Sequence, residues 1–265
     1  HRAIMSAMGD DFLHWKHHQA PKASRDQLEL VHSASYVEQM FEATANIADL
    51  VPLDADTWAG PHSLETALRA VGGACLAVEL VMQNKASTAF SAMRPPGHHA
   101  EPEQAMGFCL FSSAAIAARH AQHVWGIDRV AVVDFDVHHG NGTQAAFWDD
   151  ASLSDASSHQ MPLYPGTGAA NEQGAHNNIF NLPCAPGMSG AAIIAGWRDH
   201  LLPAIVDAAP DLVIISAGFD AHIDAPLGGL AMQSADFATL TSDIGACVQQ
   251  IADASGGCRL ISLLE

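Results

Sequence analysis

VAVVDFDVHHGNGT, at residues 130–143, is the stretch that decides the fold class of this chain. Its first four residues are apolar and mostly β-branched, which predicts a short strand buried on both faces of a sheet. The ten residues that follow carry two aspartates, two histidines and two glycines, and they predict a loop at the end of that strand. Because ligands bind beyond the carboxyl ends of strands in parallel α/β sheets, this loop is a candidate for catalysis or metal binding.

Strand-like and helix-like segments alternate on both sides of this stretch. Apolar runs predict further strands at residues 87–92, 179–182, 212–215 and 260–264. Helical spacing predicts helices at residues 64–78, with Ser63 as the cap, and at 113–124, 143–148, 190–206 and 235–251. This alternation predicts a three-layer α/β/α fold with a mainly parallel sheet. Since no linker, internal repeat or low-complexity tract interrupts the pattern, residues 1–265 are expected to form a single domain.

The composition argues against several classes of protein. The formal net charge of -18 argues against binding to nucleic acid or to anionic membranes, which needs clustered lysines and arginines. No apolar run reaches the roughly 20 residues of a membrane-spanning helix, and the five cysteines form no CxxC pair. We therefore expect a cytoplasmic protein with reduced thiols. Its negative charge suits a cationic substrate, such as a basic peptide or a polyamine, although charge also serves solubility alone.

Asp136 and His138 are predicted to share a metal ion. Residues two apart in an extended chain lie on the same face about 6.5 Å apart, so their side chains can converge on one ion. Asp220 follows the predicted strand at residues 212–215 and is the natural third ligand. Catalytic zinc typically takes three protein ligands and leaves one position open. Two carboxylate ligands also suit Fe(II), Mn(II) or Co(II), so zinc is the preferred metal among several.

A second loop, RPPGHHA at residues 94–100, is predicted to supply a general acid and a general base. Its prolines and glycine favour a rigid turn that presents His98 and His99 side by side. One imidazole could take a proton from water while the other donates a proton to the leaving amine. Asp134 is predicted to hydrogen-bond one ring and Asn141 the other. A charged partner raises the basicity of an imidazole more than an amide does, so the two rings are expected to be unequal.

These motifs resemble those of the histone deacetylase and acetylpolyamine amidohydrolase superfamily. The resemblance is carried by RPPGHHA at 94–100, GFC at 107–109, DFDVHHGNGTQ at 134–144, YPGTG at 164–168 and SAGFDAH at 216–222. The asparagine at Asn141 resembles the residue that the class II branch and its bacterial relatives have at this position. The resemblance implies the arginase-deacetylase fold, with about eight parallel strands between helical layers. It also implies zinc-dependent hydrolysis of the amide of N-acetyl-lysine, in which we assign His98 as the base and His99 as the acid.

The resemblance also implies further sites. The zinc ligands would be Asp136, His138 and Asp220, as the spacing predicts. The tunnel for the acyl-lysine stem would involve Gly107, Phe108, Tyr164, Leu227 and Asp56, the last of which falls where the family contacts the substrate backbone. A structural potassium ion would match Asp134, Asp136, His138, Ser157 and Ser158. An outer potassium ion would match Phe147, Asp150 and Leu153.

The family pattern extends past both ends of this sequence. A Gly-Gly-Tyr follows the last strand in the family, and its tyrosine, which donates a hydrogen bond to the oxyanion, would be the third residue after Glu265. The family's opening strand would precede His1. We therefore interpret the sequence as truncated at both ends. Within the chain, Asp155 stands where the family strand is apolar, and a buried aspartate without a partner costs stability or shifts its pKa.

Two alternatives to an acetyl-lysine deacetylase stay open. Leu227 stands where polyamine-specific relatives in class II place a glutamate, so acetylated lysine in a peptide or protein is the preferred substrate. The first alternative is an amidohydrolase for acetylated polyamines or other small acetylated amines. The second is a metal-binding but inactive fragment or interaction module. An arginase-like binuclear hydrolase is disfavoured, because the sequence shows no second set of bridging ligands.

Overall fold

The computed structural model describes Ser6, Phe12 and residues 14–45 and 47–265. These residues form strands β1 (Val51–Pro52), β2 (Trp58–Ala59), β3 (Thr88–Ser91), β4 (Val130–Asp134), β5 (Leu153–Gln160), β6 (Ile179–Cys184), β7 (Leu212–Ala217) and β8 (Arg259–Leu264). Six of them make one sheet in the order β3-β8-β7-β4-β5-β6, and every neighbouring pair is parallel. The predicted parallel sheet is therefore confirmed.

The number of strands in that sheet corrects the expectation of about eight. The described residues contribute six strands to it, and β1 and β2 form a separate ribbon. These two short strands pair antiparallel with each other around a tight turn, in which the amide of Leu53 donates to the carbonyl of Thr57 at 2.8 Å. Their backbone groups bond to each other, so neither strand extends the main sheet.

Helices cover both faces of the sheet. They are α1 (Arg25–Leu28), α2 (Ala34–Thr44), α3 (Ser63–Met82), α4 (Ser113–Trp125), α5 (Asn141–Phe147), α6 (Gly190–Gly196), a π-helical turn (Trp197–Leu201), α7 (Leu202–Ala208) and α8 (Ser234–Ser255). Alternate residues of β4 face opposite sides, as in any strand. Val130 and Val132 pack in a core with residues of α3 and α4, whereas Ala131 and Val133 pack with residues of α6, α7 and α8. This confirms the three-layer α/β/α fold.

Two local predictions differ from the structure. Ser63 is the first residue of α3 and not its cap, because its hydroxyl accepts a hydrogen bond from the amide of Gly60 at 2.8 Å. The helix predicted at residues 190–206 contains the π-helical turn in its middle. Trp197, the first residue of that turn, is fully buried and donates from its indole nitrogen to Ser158 Oγ at 2.8 Å.

β5 is a buried strand with a polar sequence, LSDASSHQ. Asp155 lies opposite Val132 and Ile179 in the register of the sheet. Both of its carboxylate oxygens are buried, and neither has a hydrogen-bond partner among the described residues. Burial, with a smaller effect from the charge of Asp134, raises the pKa of Asp155 well above its usual value. The sequence expectation for a buried Asp155 is thus confirmed.

The parallel sheet brings three candidate loops together. Strands β8, β7 and β4 are neighbours, with Asp134 opposite Ser216 and Ser216 opposite Leu263. The loops after β3, β4 and β7 leave the sheet at its carboxyl edge, because all six strands run in the same direction. This topology, and not the proximity of the loops in sequence, assembles the site.

Candidate active site

Asp136, His138 and Asp220 converge at this edge of the sheet. One ligand atom from each of the three residues lies within 4.8 Å of the others. Nδ1 of His138 is 3.1 Å from Oδ1 of Asp136 and 3.0 Å from Oδ2 of Asp220. The structure therefore brings together the three residues that the sequence predicts as metal ligands.

This arrangement fits a divalent metal ion. Two carboxylates face the same imidazole nitrogen, which can carry only one hydrogen, and no lysine or arginine in the described part of the chain forms an ion pair with either carboxylate. Burial lowers the pKa of His138, but its hydrogen bonds to Asp136 and Asp220 outweigh this effect and raise the pKa to about 9. The negative charge of the cluster thus favours a cation, and a nitrogen with two carboxylates suits zinc or Fe(II).

Backbone contacts position the two carboxylates of this cluster. The amide of His138 donates to Oδ1 of Asp136 at 2.8 Å, and the amide of Val137 donates to Oδ1 of Asp220 at 2.9 Å. Gly218 passes so close that a Cβ there would lie 2.0 Å from Oδ2 of Asp136. A residue other than glycine at this position would therefore displace the carboxylate.

His98 and His99 lie side by side next to these ligands. Their ring centroids are 4.1 Å apart, and the His99 ring is 5.9 Å from the His138 ring. Nδ1 of His98 is 2.9 Å from Oδ2 of Asp134, and Nδ1 of His99 is 2.8 Å from Oδ1 of Asn141. Both predicted hydrogen bonds are present, and both leave the Nε2 atoms of the rings available for chemistry.

The two imidazoles differ electrostatically. Burial lowers the pKa of His98, but the charges of Asp134 and Asp136 outweigh this effect and raise the pKa well above its usual value. Burial and the neighbouring charge of His98 lower the pKa of His99 well below its usual value. The carboxylate partner thus stabilises a protonated ring, whereas the amide partner leaves the other ring neutral.

Two acidic residues at the site have no counterpart in the sequence predictions. Oε2 of Glu265 accepts hydrogen bonds from the amides of Gly97 at 2.6 Å and His98 at 3.1 Å, and its Oε1 accepts from the hydroxyl of Ser216 at 2.7 Å. Oε1 of Glu101 accepts from Nδ2 of Asn141 at 2.7 Å. Glu101 directly follows the RPPGHHA motif, and this adjacency was the only signal that could have found it.

Some of the predicted tunnel residues lie against His99, and others are exposed. The ring of Tyr164 lies 5.1 Å from that of His99, and a Cβ at Gly107 would lie 2.3 Å from a ring carbon of His99. Asp56 accepts a hydrogen bond from the amide of Gly107 at 3.3 Å, and burial together with the charges of Asp56 and Asp54 raises the pKa of Tyr164. Phe108 and Leu227 are more than half exposed, so both lie at the protein surface, and their assignment to a tunnel stays a prediction.

The inner potassium positions cluster at the end of β4 and in β5. Oδ1 of Asp134 accepts from the amide of Asp136 at 2.9 Å, and Ser157 Oγ lies 2.9 Å from Nδ1 of His159. Ser158 is the buried partner of the Trp197 indole. These contacts show how the side chains are held, and the assignment of potassium to them stays a prediction.

The outer potassium positions converge on an amide. Nδ2 of Asn178 lies 2.9 Å from the carbonyl oxygen of Phe147, 3.2 Å from that of Asp150 and 2.7 Å from that of Leu153. The two hydrogens of this amide group are therefore shared among carbonyl oxygens of the three positions that the resemblance assigns to an ion. Its own Oδ1 is buried without a partner among the described residues.

Comparisons with known proteins identify the family of this chain. A family model for the histone deacetylase domain matches residues 2–265. An uncharacterized protein of Synechocystis is 38% identical over 242 residues, covering 90% of this chain and 78% of that protein. Histone deacetylase 10, chloroplastic, from rice is 36% identical over 255 residues, covering 92% of this chain and 57% of that protein.

A bacterial amidohydrolase and a solved structure extend these comparisons. Histone deacetylase-like amidohydrolase of Pseudomonas aeruginosa is 37% identical over 250 residues, covering 93% of this chain and 64% of that protein. The crystal structure of the HDA15 HD domain superposes with a TM-score of 0.89 at 33% identity, covering 100% of this chain and 74% of that one. This chain thus spans less than two thirds of the length of some of its curated relatives.

Proposed function

Because this chain belongs to the histone deacetylase family, we propose that it is the catalytic core of a metal-dependent deacetylase that hydrolyses the amide of N-acetyl-lysine in peptides or proteins. One observation carries the proposal. Three convergent metal-ligand candidates lie beside a pair of buried histidines, each of which has its own hydrogen-bond partner. Metal ligands, a base and an acid are the parts that metal-assisted amide hydrolysis requires.

We propose that Asp136, His138 and Asp220 hold a zinc ion, with Fe(II) or another divalent metal as a substitute. When bound, such an ion polarises the acyl carbonyl and makes the attacking water more acidic. A structural potassium ion at Asp134, Asp136, His138, Ser157 and Ser158 also belongs to the proposal, on the strength of the family resemblance.

The electrostatics of the histidine pair favour an exchange of the roles first assigned to it. His99 is held neutral with Nε2 free, so it can accept the proton of the attacking water. His98 is stabilised as a cation by Asp134, so it can donate a proton to the departing amine nitrogen. Water then adds its oxygen to the acyl carbon, the C–N bond breaks, and acetate and the free amine leave.

The tunnel residues would bind the lysine stem and restrict access of water. Gly107 and Tyr164 lie against His99, and Phe108 stands at the rim. Apolar walls around the reacting amide strengthen the electrostatic effects of the site. Asp56 lies next to Gly107, where it could accept a hydrogen bond from the substrate backbone. Leu227 places no charge at the rim, which favours acetyl-lysine over acetylated polyamines.

The cellular location stays a prediction. None of the helices that the structure describes has both the length and the hydropathy to span a bilayer. We propose a cytoplasmic location. The rice relative, by contrast, is named as a chloroplastic protein.

The proposal is tested with a purified full-length protein and three acetylated substrates: a fluorogenic acetyl-lysine peptide, N-acetylputrescine and N-acetylspermidine. We expect turnover of the peptide, and a fall in kcat of about 100- to 10,000-fold in His99→Gln because the base is lost. His18→Gln changes an exposed histidine outside the site and is the matched control. Faster turnover of the acetylpolyamines would favour the small-amine amidohydrolase. A metal-loaded protein that turns over none of the three would support the inactive module instead.

A further inference from the structure

Glu101, Asn141 and His99 form a hydrogen-bonded chain behind the proposed base. Nδ2 of Asn141 donates to Oε1 of Glu101 at 2.7 Å, and Oδ1 of Asn141 lies 2.8 Å from Nδ1 of His99. Asn141 and His99 are buried, and Glu101 is half-buried. Each contact of the chain is within normal hydrogen-bond distance.

The donor and acceptor properties of the three groups fix the direction of each hydrogen bond between them. A carboxylate only accepts hydrogen bonds, so the amide nitrogen of Asn141 must face Glu101 and its oxygen must face His99. An amide oxygen also only accepts, so His99 must carry its hydrogen on Nδ1. A neutral imidazole has one hydrogen, and Nε2 therefore keeps the lone pair that a base requires.

Asn141 cannot impose this direction alone. Its amide has a donor end and an acceptor end of nearly the same size, and the reversed orientation would present a donor to His99. His99 would then accept at Nδ1 and carry its hydrogen on Nε2. Apart from Glu101, the contact found for the amide nitrogen within the described residues is Sδ of Met106 at 3.3 Å, and a thioether is a weak acceptor.

We propose that Glu101 is a positioning residue that selects the amide orientation of Asn141 and thereby the tautomer of His99. Its catalytic consequence rests on the proposed function, in which His99 accepts a proton at Nε2. Glu101 touches neither the metal-ligand candidates nor the reacting atoms, and it acts through Asn141.

Backbone hydrogen bonds hold together the segments that carry Glu101, Asn141 and His99. Glu101 and Gln104 form a short antiparallel bridge, with the amide of Glu101 donating to the carbonyl of Gln104 at 3.0 Å. The start of α5 is tied to the histidine loop, because the amide of Gly142 donates to the carbonyl of His98 at 2.9 Å. A Cβ at Gly142 would lie 2.2 Å from the carbonyl oxygen of Ala100, so glycine permits this close approach.

The experiment compares Glu101→Ala, Glu101→Leu and Glu101→Gln with Glu103→Ala, which removes an exposed glutamate from the same turn. Glutamine keeps an acceptor for the amide nitrogen, whereas alanine and leucine remove it, and leucine better preserves side-chain volume. The first readout is the ring tautomer of His99 in the metal-free protein, measured by two-bond proton–nitrogen correlation in ¹⁵N-histidine-labelled samples. His99→Gln identifies the signals, because they vanish in that variant.

We expect the Nδ1–H tautomer in the wild type, Glu101→Gln and Glu103→Ala, and a shift to Nε2–H in Glu101→Ala and Glu101→Leu. The second readout is turnover of the acetyl-lysine peptide. We expect kcat to fall about 10- to 100-fold in the alanine and leucine variants, as is typical for loss of a supporting partner, with little change in KM and recovery in Glu101→Gln.

Two failures are distinguishable. If His99 keeps the Nδ1–H tautomer and full kcat in both Glu101→Ala and Glu101→Leu, the positioning role is overturned while the deacetylase proposal stands. If the wild type turns over no acetylated substrate, the proposed function fails, and the tautomer measurement still decides the role of Glu101.

Discussion

Replacing Asp155 with valine should stabilise the protein. Asp155 is 1% exposed, both of its carboxylate oxygens lack partners among the described residues, and its neighbours across the sheet are Val132 and Ile179. Leu153 lies two residues away on the same face and packs in the same core as these neighbours. Valine is close to aspartate in size, β-branched and suited to such a position.

The magnitude follows from two effects. An unsatisfied buried polar group costs about 1–3 kcal/mol, and burying a valine side chain contributes about 1.5 kcal/mol. We therefore expect Asp155→Val to raise the free energy of unfolding at neutral pH by about 3 kcal/mol. For a chain of this size that corresponds to a rise in Tm of roughly 6–12 °C.

The advantage of valine should depend on pH. Burial raises the pKa of Asp155, so the native state holds a proton that the unfolded state has already released at neutral pH. A group with a raised native pKa contributes stability below its unfolded pKa, and this contribution is lost as the pH rises. The gain from Asp155→Val should therefore be larger at pH 8 than at pH 4. Asp155→Asn removes the same titrating group, so its difference from the wild type should change with pH in the same way, but it keeps an unsatisfied polar group.

Urea denaturation of the wild type, Asp155→Val and Asp155→Asn at several pH values, with the metal content held constant, measures these differences. The reasoning is refuted if Asp155→Val lowers the free energy of unfolding by about 1 kcal/mol or more. That result would mean that the carboxylate has a stabilising partner, such as a buried ion or water.

Three further predictions concern the site and its supports. Gly218→Ala should lower metal affinity about 10- to 100-fold, because the new Cβ collides with Asp136. Metal titration measures this change. The control is Gly245→Ala, which has open space around its Cβ and should leave metal affinity unchanged. Asn178→Ala should lower the free energy of unfolding by about 2–3 kcal/mol, since it removes an amide group whose two hydrogens are shared among three carbonyl oxygens. Denaturation of the variant in potassium and in sodium buffers should then show whether potassium restores stability. A denaturation midpoint equal to that of the wild type would contradict the reasoning. Burial raises the pKa of Asp150, but hydrogen bonds from Ser152 and Arg119 outweigh this effect and lower the pKa to about 2. The contribution of Asp150 to stability is therefore present above pH 3.8 and is lost as the pH falls towards 2. In Arg119→Met, the free energies of unfolding measured at pH 6 and pH 3 should differ less than they do in the wild type.

Residue patterns predicted the strands that carry the site but not β5, where only the family resemblance implied a strand. Val130 to Val133 form an apolar, mostly β-branched run that is typical of a buried strand, whereas LSDASSHQ has no apolar pattern. β5 is nevertheless buried along its whole length, because partners in other elements satisfy several of its polar groups. Ser158 accepts from the indole of Trp197, and His159 contacts the carbonyl of Gly168. Such partners are not encoded within the strand itself.

The candidate ligands were predictable for a similar reason. Asp136 and His138 are two residues apart, so their convergence follows from the geometry of an extended chain. Glu101 was not predictable as a functional residue. Its effect on His99 passes through Asn141, which is 40 residues away in sequence, and the direction of the amide depends on atoms in both segments.

By itself, the sequence determined the chemistry available at the ends of the strands. Local spacing placed Asp136 with His138, His98 beside His99, and glycines where the backbone turns. Only the tertiary structure decided which groups meet. Glu265 reaches the amides of Gly97 and His98 across more than 160 residues, because the sheet places β8 between β3 and β7. Strand order depends on how whole elements pack, and short-range patterns of residues do not specify it.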